Sequence, residues 1–535
     1  MKTNISKTIY FFIFLVAFTV SSSYAQKTKN DFEVDSKKLT SALQVIDLFY
    51  VDTVNNEKLI SAAITEMLKE LDPHSVYLTK EEMKEANEPL QGNFEGIGVQ
   101  FSIVKDTIMV VTPTSGGPSE KLGIMPGDRI VKIDGEDATG SILNNNYVVK
   151  HLRGTKGTIV KVSILRRGKK ALLEFSITRD KIPINSIDAT FMATDNIGYV
   201  KLNRFGATTM EEFDASLKKL KKSGMKNLIL DLRGNGGGYL NTAIDLADEF
   251  LAKDKIVVFT KGQNSTQQKY FATDKGDFEK GKLIILIDEG SASASEIVSG
   301  AIQDLDRGLI IGRRSFGKGL VQRPFTLPDG SVIRLTTAHY YSPSGRCIQK
   351  PYNEGTDKYF KDLTERSKHG EFFHADSIHF PDSLKFYTSK KRLVYGGGGI
   401  MPDLFIPADT SKISDYYRDL LSKGLLYNYS LQYLDNTRDS LKAKYSDAET
   451  FVKNFTVDSV FLRKFVSFAE KEGVKKDAVG LELSKEYLLN QLKANIGRGL
   501  FDIETYFVVS SAIDDVYQEA IKAMNDKTFK QYKID

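Results

Sequence analysis

The chain has 535 residues, of which 41% are hydrophobic and 27% charged, so it is too long for one hydrophobic core and should form several domains. Its formal net charge of +5 comes without a long basic tract, which argues against nucleic acid as a partner. The single cysteine, Cys347, cannot form an intramolecular disulfide, and no neighbouring residue suggests a base that would activate its thiol.

Residues 1–25 combine two lysines, an apolar stretch from Ile9 to Val20 and small residues that end at Ala25. This succession is typical of a secretory signal peptide, with cleavage expected between Ala25 and Gln26. We therefore predict an exported, periplasmic protein. The apolar stretch is short for a membrane span, and a membrane-associated, uncleaved N-terminal segment is the alternative interpretation.

Residues 26–90 are predicted to form a small helical region. Apolar residues recur at helical spacing through 36–70, and an Asp-Pro turn follows them. Thr79 is then placed to cap a helix that begins at Lys80.

Residues 91–180 change to short apolar strands separated by glycines. Five such strands, with one or two short helices between them, predict a compact β-rich domain. In residues 181–410 strands alternate with amphipathic helices, which predicts an α/β layer with buried parallel strands. Residues 351–392 form a polar insertion in this layer, and residues 411–535 have a helical pattern throughout.

The stretch GSASASEI, residues 290–297, follows the apolar strand LIILID and contains three serines. A serine at this point lies at the carboxyl end of a strand, where sites form in α/β sheets, and at the start of a helix with free backbone N–H groups. This position suits a nucleophile and an oxyanion. Simple N-capping by Ser291, Ser293 or Ser295 would explain only one of the three hydroxyls.

A serine nucleophile needs a base, and the six histidines do not offer one. Three of them lie in the polar insertion as solvated loop residues, and the metal-binding pattern HExxH is absent, so no metal site is predicted. Lys318 lies between two glycines in RRSFGKGLVQ, flanked by apolar residues. Burial lowers the pKa of a lysine because the charged amine loses its hydration, so such a lysine can act as a base.

Several stretches together resemble one known family. Their order along the chain is the order found in the C-terminal processing peptidases. In this sequence they read LDPHSVYL, PGDRIVKIDG, LILDLRGNGGGYL, GSASASEIVSGAIQD, IIGRRSFGKGLVQ and GGGIMPD. These are tail-specific serine proteases with a PDZ domain and a serine–lysine dyad. The resemblance covers about residues 40–405 and implies a multidomain α/β fold. Its parts would be a ClpP/crotonase-like protease core at 181–410, an inserted PDZ domain at 91–180, and helical N- and C-terminal regions.

The resemblance implies four site residues around the serine and the lysine. Ser293 takes the position of the nucleophile, Lys318 that of the general base, and Gln322 that of the residue that orients the lysine amine. Glu296 matches a glutamate often present in the motif. Its role is either catalytic or that of a carboxylate at the start of a helix.

The oxyanion hole should combine the backbone N–H of Ala294 with one from the glycine loop after LILDL. Gly237 is the first choice in that loop and Gly238 the alternative. Gly236 stands where the family usually has proline. The loop lacks the lysine and the spacing of a phosphate-binding motif, so nucleotide binding is not indicated.

The PDZ resemblance also implies how a substrate arrives. Such modules bind the last residues of a peptide by strand addition, with loop N–H groups holding the terminal carboxylate. The corresponding residues are Gly96, Ile97, Gly98 and Val99, with Ile97 and Ile124 lining a side-chain pocket. We expect a serine endopeptidase that captures the tails of unfolded or precursor proteins and cleaves them through an acyl-enzyme without a cofactor.

Two other interpretations stay open at this point. The chain could be a catalytically silent PDZ scaffold, or an acyl-CoA enzyme of the related hydratase fold, although an export signal and a PDZ domain do not suit a thioester substrate. Residues 411–535 lie outside the clear resemblance and are candidates for forming a homodimer or docking an adaptor protein.

Overall fold

The computed structural model describes residues 32–534, and the predicted signal peptide at residues 1–25 lies outside this part of the chain. Two compact units follow each other along the chain and divide between Tyr77 and Leu78. No helix within residues 32–534 has both the length and the apolar character needed to cross a membrane.

The first unit is helical, as predicted. Helix α1 spans residues 32–49, and α2 (Asn56–Lys69) begins where the Asn55 side chain accepts a hydrogen bond from the Lys58 N–H at 2.9 Å. After α2, the Asp72 carboxylate accepts hydrogen bonds from the backbone N–H groups of His74 at 2.8 Å and Ser75 at 2.9 Å. These bonds fix the Asp-Pro turn that precedes strand β1 (Val76–Leu78).

The second unit opens with helix α3 (Lys80–Gln91), whose start the sequence predicts correctly. The Thr79 hydroxyl accepts a hydrogen bond from the Glu82 N–H at 3.1 Å, and the Glu82 carboxylate accepts one from the Thr79 N–H at 2.8 Å. Gly92 ends the helix in the left-handed conformation, with φ of 73°. A side chain there would lie 2.8 Å from the Thr208 hydroxyl, so the position requires glycine.

A β-rich domain follows. Its main sheet has the strand order β3, β4, β5, β7, β8, with β6 paired to β5, and a separate pair of strands, β2 and β9, forms where the chain enters and leaves. Its strands are β2 (Asn93–Gly96), β3 (Val99–Ile103), β4 (Ile108–Pro113), β5 (Arg129–Ile133), β6 (Glu136–Asp137), β7 (Ile159–Leu165), β8 (Leu173–Thr178) and β9 (Asp180–Pro183), and its helices are α4 (Pro118–Lys121) and α5 (Asn145–Leu152).

The central layer is a six-stranded sheet with the order β10, β11, β12, β15, β16, β21. Its strands are β10 (Ile187–Met192), β11 (Ile197–Leu202), β12 (Asn227–Asp231), β15 (Leu283–Ile287), β16 (Leu309–Gly312) and β21 (Leu404–Phe405). The last five run parallel, as predicted, whereas β10 is an antiparallel edge strand that the alternation of strands and helices did not indicate.

Both faces of this sheet are buried, which explains why its strands are almost wholly apolar. One face packs against α6 (Thr209–Lys222), α7 (Leu240–Asp248) and α8 (Ala294–Asp304). The other face packs against the last helices of the chain. In β15, Ile285 contributes to the first core and Ile284 to the second.

A second group of strands lies beside the central layer. Strand β13 pairs with β14 and β18, and β17 pairs with β18 in a long hairpin. The bounds are β13 (Ile256–Gly262), β14 (Ser265–Phe271), β17 (Leu320–Thr326) and β18 (Val332–Tyr341). The hairpin positions the loop between β16 and β17, which contains Lys318.

The polar insertion contains helix α9 (Thr356–Lys368) and strand β19 (Lys385–Tyr387), which pairs with β20 (Leu393–Tyr395) directly after the insertion. Arg366 of α9 is buried, and its guanidinium donates hydrogen bonds to the carbonyl oxygens of Arg314 at 2.8 Å and Ser315 at 3.0 Å. The insertion therefore supports the loop between β16 and β17.

The C-terminal region is helical, as predicted, and divides into two parts. Its helices are α10 (Asp415–Ser422), α11 (Leu425–Lys444), α12 (Ala448–Asn454), α13 (Ser459–Lys471), α14 (Ala478–Leu483), α15 (Lys485–Leu500), α16 (Ile503–Ser510), α17 (Asp515–Asn525) and α18 (Thr528–Gln531). Helices α10 to α15 share a core of their own. Helices α17 and α18 instead cover the second face of the central sheet.

Candidate active site

The three serines of GSASASEI have different environments. The Ser291 hydroxyl is buried and donates to the Leu232 carbonyl oxygen at 2.9 Å, and the buried Ser295 hydroxyl donates to the Asn235 carbonyl oxygen at 2.8 Å. Ser293 instead lines an open cleft. Two of the three hydroxyls thus bind the chain that follows the neighbouring strand β12, whereas Ser293 lines the cleft.

Ser293 has an unusual backbone conformation. It is the residue just before α8, with φ of 56° and ψ of −110°. Residues other than glycine seldom adopt a positive φ, and such strain persists where the surrounding contacts enforce it, often at functional sites. Ser293 is thus held in this conformation at the end of the loop between β15 and α8.

The glycine loop after β12 lies against this serine. A side chain at Gly237 would lie 2.8 Å from the Ser293 Cβ and 2.9 Å from the Ala292 carbonyl oxygen, and its φ is 103°. Asn235 is fully buried and joins the two turns, because its carbonyl oxygen accepts from the Ala292 N–H at 3.0 Å. Gly237 is therefore needed for the close approach of the loop to the nucleophile position.

The predicted oxyanion donors are not equally open. The Gly237 N–H donates to the Asn235 Oδ1 at 2.9 Å, so a substrate oxygen would have to compete with that bond. Within residues 32–534 no group accepts a hydrogen bond from the N–H of Gly238 or of Ala294, and both residues line the cleft. The geometry favours Gly238 with Ala294, whereas the role of Gly237 stays a prediction.

Lys318 reaches the same cleft from the loop between β16 and β17. Its Nζ lies 3.4 Å from the Gln322 Oε1 on β17, and both side chains line the cleft together with Ser293. The buried Tyr340 hydroxyl donates to the Lys318 carbonyl oxygen at 2.6 Å and lies 3.1 Å from that of Ser293. The structure thus brings the predicted nucleophile, base and orienting residue to one place.

The buried Glu296 side chain connects the loop that ends at Ser293 with the loop that contains Lys318. Its carboxylate accepts hydrogen bonds from the backbone N–H groups of Ser293 at 2.8 Å, Lys318 at 2.9 Å and Gly317 at 2.7 Å, and from the Ser315 hydroxyl at 2.5 Å. Burial raises the pKa of Glu296 to about 7, and these four donors oppose that rise. Glu296 does not line the cleft, so its contacts are those of a positioning residue.

Sequence reasoning missed three residues of this arrangement: Tyr340, Asn235 and Ser315. The Ser315 hydroxyl, besides donating to Glu296, accepts from the Ile400 N–H at 2.6 Å and so ties the GGGGI segment to the site. The motifs RRSFG and HYY contain two of these residues, but a hydroxyl in a motif does not reveal its partner.

The cleft has a volume of about 500 Å³. Five residues of α3 line the cleft: Met83, Ala86, Asn87, Pro89 and Leu90. The rest of the lining includes the glycine loop, Ser293, Ala294, Lys318, Gln322 and the start of the β17–β18 hairpin. This space suits an extended peptide that passes the serine hydroxyl.

A second groove of about 360 Å³ lies between β3 and α5 of the β-rich domain. Ile97, Gly98 and Val99 line it, and β3 is an edge strand of its sheet. Gly96 pairs with Asp180 in the β2–β9 ladder, and Ile124 is buried in the domain core. The structure thus places three of the five predicted peptide-binding residues in the groove wall.

Other candidate groups do not form a site. In the described part of the chain no three His, Cys, Asp or Glu side chains cluster in a way that could hold a metal ion. The Cys347 Sγ lies 3.9 Å from the His339 Nδ1, and burial raises the pKa of the thiol, which keeps it protonated.

Comparisons with known proteins agree with this architecture. The model of peptidase family S41 matches residues 196–357, a PDZ domain model matches 96–177, and a model described as the N-terminal domain of the activating protease CtpB matches 16–82. A family of unknown function matches residues 416–502.

Two relatives illustrate the similarity. Carboxy-terminal processing protease CtpB of Bacillus subtilis is 35% identical over 353 residues, which are 65% of this chain and 71% of that protein. The carboxy-terminal-processing protease of Bartonella bacilliformis is 40% identical over 305 residues, which are 56% of this chain and 69% of that protein.

Among solved structures, the photosystem II D1 C-terminal processing protease is 26% identical, with 70% of this chain and 93% of that chain covered and a TM-score of 0.36. The sequence identity to the two relatives extends over most of their length. The chain therefore belongs to the carboxy-terminal processing proteases of peptidase family S41, which are serine-type peptidases, and it contains a PDZ domain.

Proposed function

We propose that the protein cleaves captured protein tails with Ser293 as nucleophile and Lys318 as general base. The observation that carries this proposal is the buried Glu296 carboxylate, which holds the backbone N–H groups of both residues. A scaffold without catalytic activity would not need two loops fixed in this way around a strained serine.

The chemistry follows from these positions. The neutral Lys318 amine takes the proton from the Ser293 hydroxyl while the oxygen attacks the peptide carbonyl carbon. The tetrahedral intermediate collapses when the C–N bond breaks, and the lysine returns its proton to the leaving amine. Water then attacks the acyl-enzyme with the lysine again as base, which releases the fragment and restores the serine. Gln322 orients the amine throughout.

Backbone N–H groups would stabilise the negative oxygen of the tetrahedral intermediate. Ala294 at the start of α8 and Gly238 in the glycine loop supply two open donors on the cleft wall. Such donors are set in place before the reaction begins, which lowers the barrier because they need no reorganisation. Gly237 would join them only by exchanging its bond to Asn235.

Tail capture would take place in the second groove. An extended peptide can pair with the free edge of β3, and the N–H groups of the Ile97–Val99 turn can hold the terminal carboxylate. A tail bound in this way is unfolded, which makes the adjoining segment accessible to the cleft. The substrate class is therefore proteins with an unstructured C-terminus.

Export to the periplasm is part of the same proposal and rests on the composition of residues 1–25. Sequencing the N-terminus of the protein recovered from cells would test it, with Gln26 as the expected first residue. A homodimer and an adaptor partner, both assigned to residues 411–535, stay predictions.

The decisive experiment compares wild type with Ser293→Ala, Lys318→Ala and Lys318→Arg on an unfolded protein with or without its last five residues. Each substitution should lower hydrolysis by about a thousandfold or more, because arginine keeps the charge but cannot act as a base. Binding of tail peptides should not change. Hydrolysis that survives in Ser293→Ala would refute the assignment, and a wild type that binds tails but never cleaves would favour the scaffold.

A further inference from the structure

The PDZ groove has a third wall that comes from the C-terminal helices. Tyr427 of α11 and Arg498 of α15 line the groove together with residues of β3 and α5. These two residues belong to the segment that matches a family of unknown function. The groove is therefore a composite of two domains that are far apart in sequence.

Apolar and polar contacts dock this wall on the PDZ sheet. Leu431 and Tyr427 pack against Val104, Met109 and Val111, which lie on the sheet face opposite the PDZ core. Close by, Arg167 donates a hydrogen bond to the Asp435 carbonyl oxygen, and the Arg129 guanidinium lies 3.5 Å from the Asp435 carboxylate. The wall is thus held in place before any peptide arrives.

Arg498 differs from the other arginine in the groove. The Arg153 guanidinium pairs with Glu88 at 2.6 Å. Arg498 is half-buried, and among residues 32–534 no side chain or carbonyl oxygen accepts a hydrogen bond from it or forms an ion pair with it within 4.0 Å. Asp188 acts on it only at longer range, since that carboxylate is bound to Asn203 at 2.6 Å.

The alternation of strand β3 determines which part of a bound tail meets Arg498. Val99 and Phe101 pack toward the PDZ core, so Gln100 and Ser102 point to the other face of the sheet. The C-terminal helices cover that other face. A peptide that pairs with β3 alternates in the same way, so its last side chain enters the apolar pocket and its penultimate side chain points toward the C-terminal helices.

We propose that Arg498 selects tails with an acidic side chain at a position that points toward the C-terminal helices. The penultimate residue is the first such position, and every second residue before it is another. The inference rests on the proposed capture of tails by the PDZ groove and adds a preference among them. A carboxylate offers the planar, two-oxygen acceptor that a guanidinium prefers. A neutral tail leaves the half-buried Arg498 guanidinium without a directly bonded partner in the described chain, so the acid adds affinity.

Binding to the full-length Ser293→Ala protein tests this preference without cleavage of the probe. Fluorescent ten-residue peptides would differ only at the penultimate position, as Asp, Asn or Lys, and each would be made with a free or an amidated C-terminus. We expect the Asp peptide to bind about fivefold more tightly than the Asn peptide, the range of a half-exposed ion pair.

Arg498→Gln should abolish that difference, and Arg498→Glu should make the Lys peptide the preferred one. Arg463→Gln is the matched control, because this exposed arginine of α13 lies in the same helical region but does not line the groove. In all these variants a free C-terminus should remain better than an amide.

Several outcomes would overturn the proposal. One is equal binding of the Asp and Asn peptides to the protein that retains Arg498. Another is an Arg498→Gln variant that binds every peptide more weakly by the same factor. A variant that loses only the preference for a free C-terminus would show that Arg498 holds the terminal carboxylate instead. If no peptide binds while wild type still cleaves proteins, then tail capture fails along with this inference, and only the assignment of the catalytic residues stands.

Discussion

The catalytic cleft and the PDZ groove are both assembled from distant segments, but they differ in how their polar groups are used. In the cleft, the backbone of the two reactive loops is bound to a buried carboxylate, and neighbouring hydroxyls are satisfied internally. In the groove, a strand edge is unpaired and Arg498 has no bonded partner in the described chain. Chemistry requires reactive groups that are held in one geometry, whereas recognition in the groove requires a strand edge and a side chain that the ligand itself completes.

A matched pair of glycine substitutions should distinguish the role of the catalytic cleft from that of the PDZ groove, with the largest expected effect. Gly237→Ala should lower hydrolysis by about a thousandfold, because the new methyl group would meet the Ser293 Cβ at 2.8 Å and the Ala292 carbonyl oxygen at 2.9 Å. Gly98→Ala introduces a similar conflict, with φ of 70° and a contact of 2.8 Å, but against the flexible end of the Ile182 side chain. It should mainly weaken tail binding.

Steady-state kinetics on a tailed protein and on a short peptide that lacks the tail would distinguish the effects. Gly237→Ala should lower kcat for both substrates and leave tail affinity intact. Gly98→Ala should raise KM for the tailed protein only. A Gly237→Ala variant with normal kcat would show that the glycine loop does not need its close approach to the serine.

The cleft was easier to predict than the groove for a physical reason. Ser293 and Lys318 lie in short motifs whose small residues are required by local geometry, so each motif marks its loop directly in the sequence. Tyr427 and Arg498 lie on ordinary amphipathic helices, and helical periodicity indicates that a face is buried but not what it packs against. No local sequence pattern therefore indicated that Tyr427 and Arg498 form the third wall of the groove.

The same limit applies to the fold. The alternation of strands and helices indicated the parallel sheet, yet it did not reveal that β10 closes one edge antiparallel or that α17 covers the second face. The apolar run LIILI did indicate burial on both faces. Which helices provide that cover depends on contacts across more than two hundred residues, which no local pattern encodes.

Glu296, beside the cleft, should make the stability of the protein depend on pH. The pKa of Glu296 is about 7 in the folded protein, above its ordinary value of 4.5, so between these pH values only the folded state keeps the proton. The free energy of unfolding should therefore fall as pH rises through this range, by up to about 3 kcal/mol relative to Glu296→Gln, which does not titrate. Denaturant unfolding of both proteins at pH 5 and pH 8 would measure it.

Glu296→Gln also tests the positioning role. An amide has one acceptor oxygen where the carboxylate has two, so the Ser293 and Lys318 loops should shift slightly and kcat at pH 8 should fall about tenfold or more. KM for tailed substrates should not change, since the groove is untouched. A stability difference that is the same at both pH values would argue that Glu296 does not bind a proton in this range.

The smallest expected effect concerns the way the last helices support the cleft. The Arg233 guanidinium, at the start of the glycine loop, pairs with Asp231 and also with Asp514 at 2.7 Å, and Asp514 caps α17 by accepting from the Tyr517 N–H at 3.1 Å. Asp514→Ala should cost about 2 kcal/mol of unfolding free energy, the sum of a cap and a partly exposed ion pair.

Asp458→Ala is the control for Asp514→Ala, because Asp458 caps α13 through the Phe461 N–H at 2.8 Å and forms no ion pair with an arginine among residues 32–534. It should cost about 1 kcal/mol, the value of a cap alone. Only Asp514→Ala should also lower kcat, by a few-fold, while tail affinity stays the same in both. Since Arg498 lies in α15 and Asp514 just before α17, such a result would show that one helical region serves the groove and the cleft through separate contacts. Equal losses of kcat in both variants would mean that the helices act on the cleft only through overall stability.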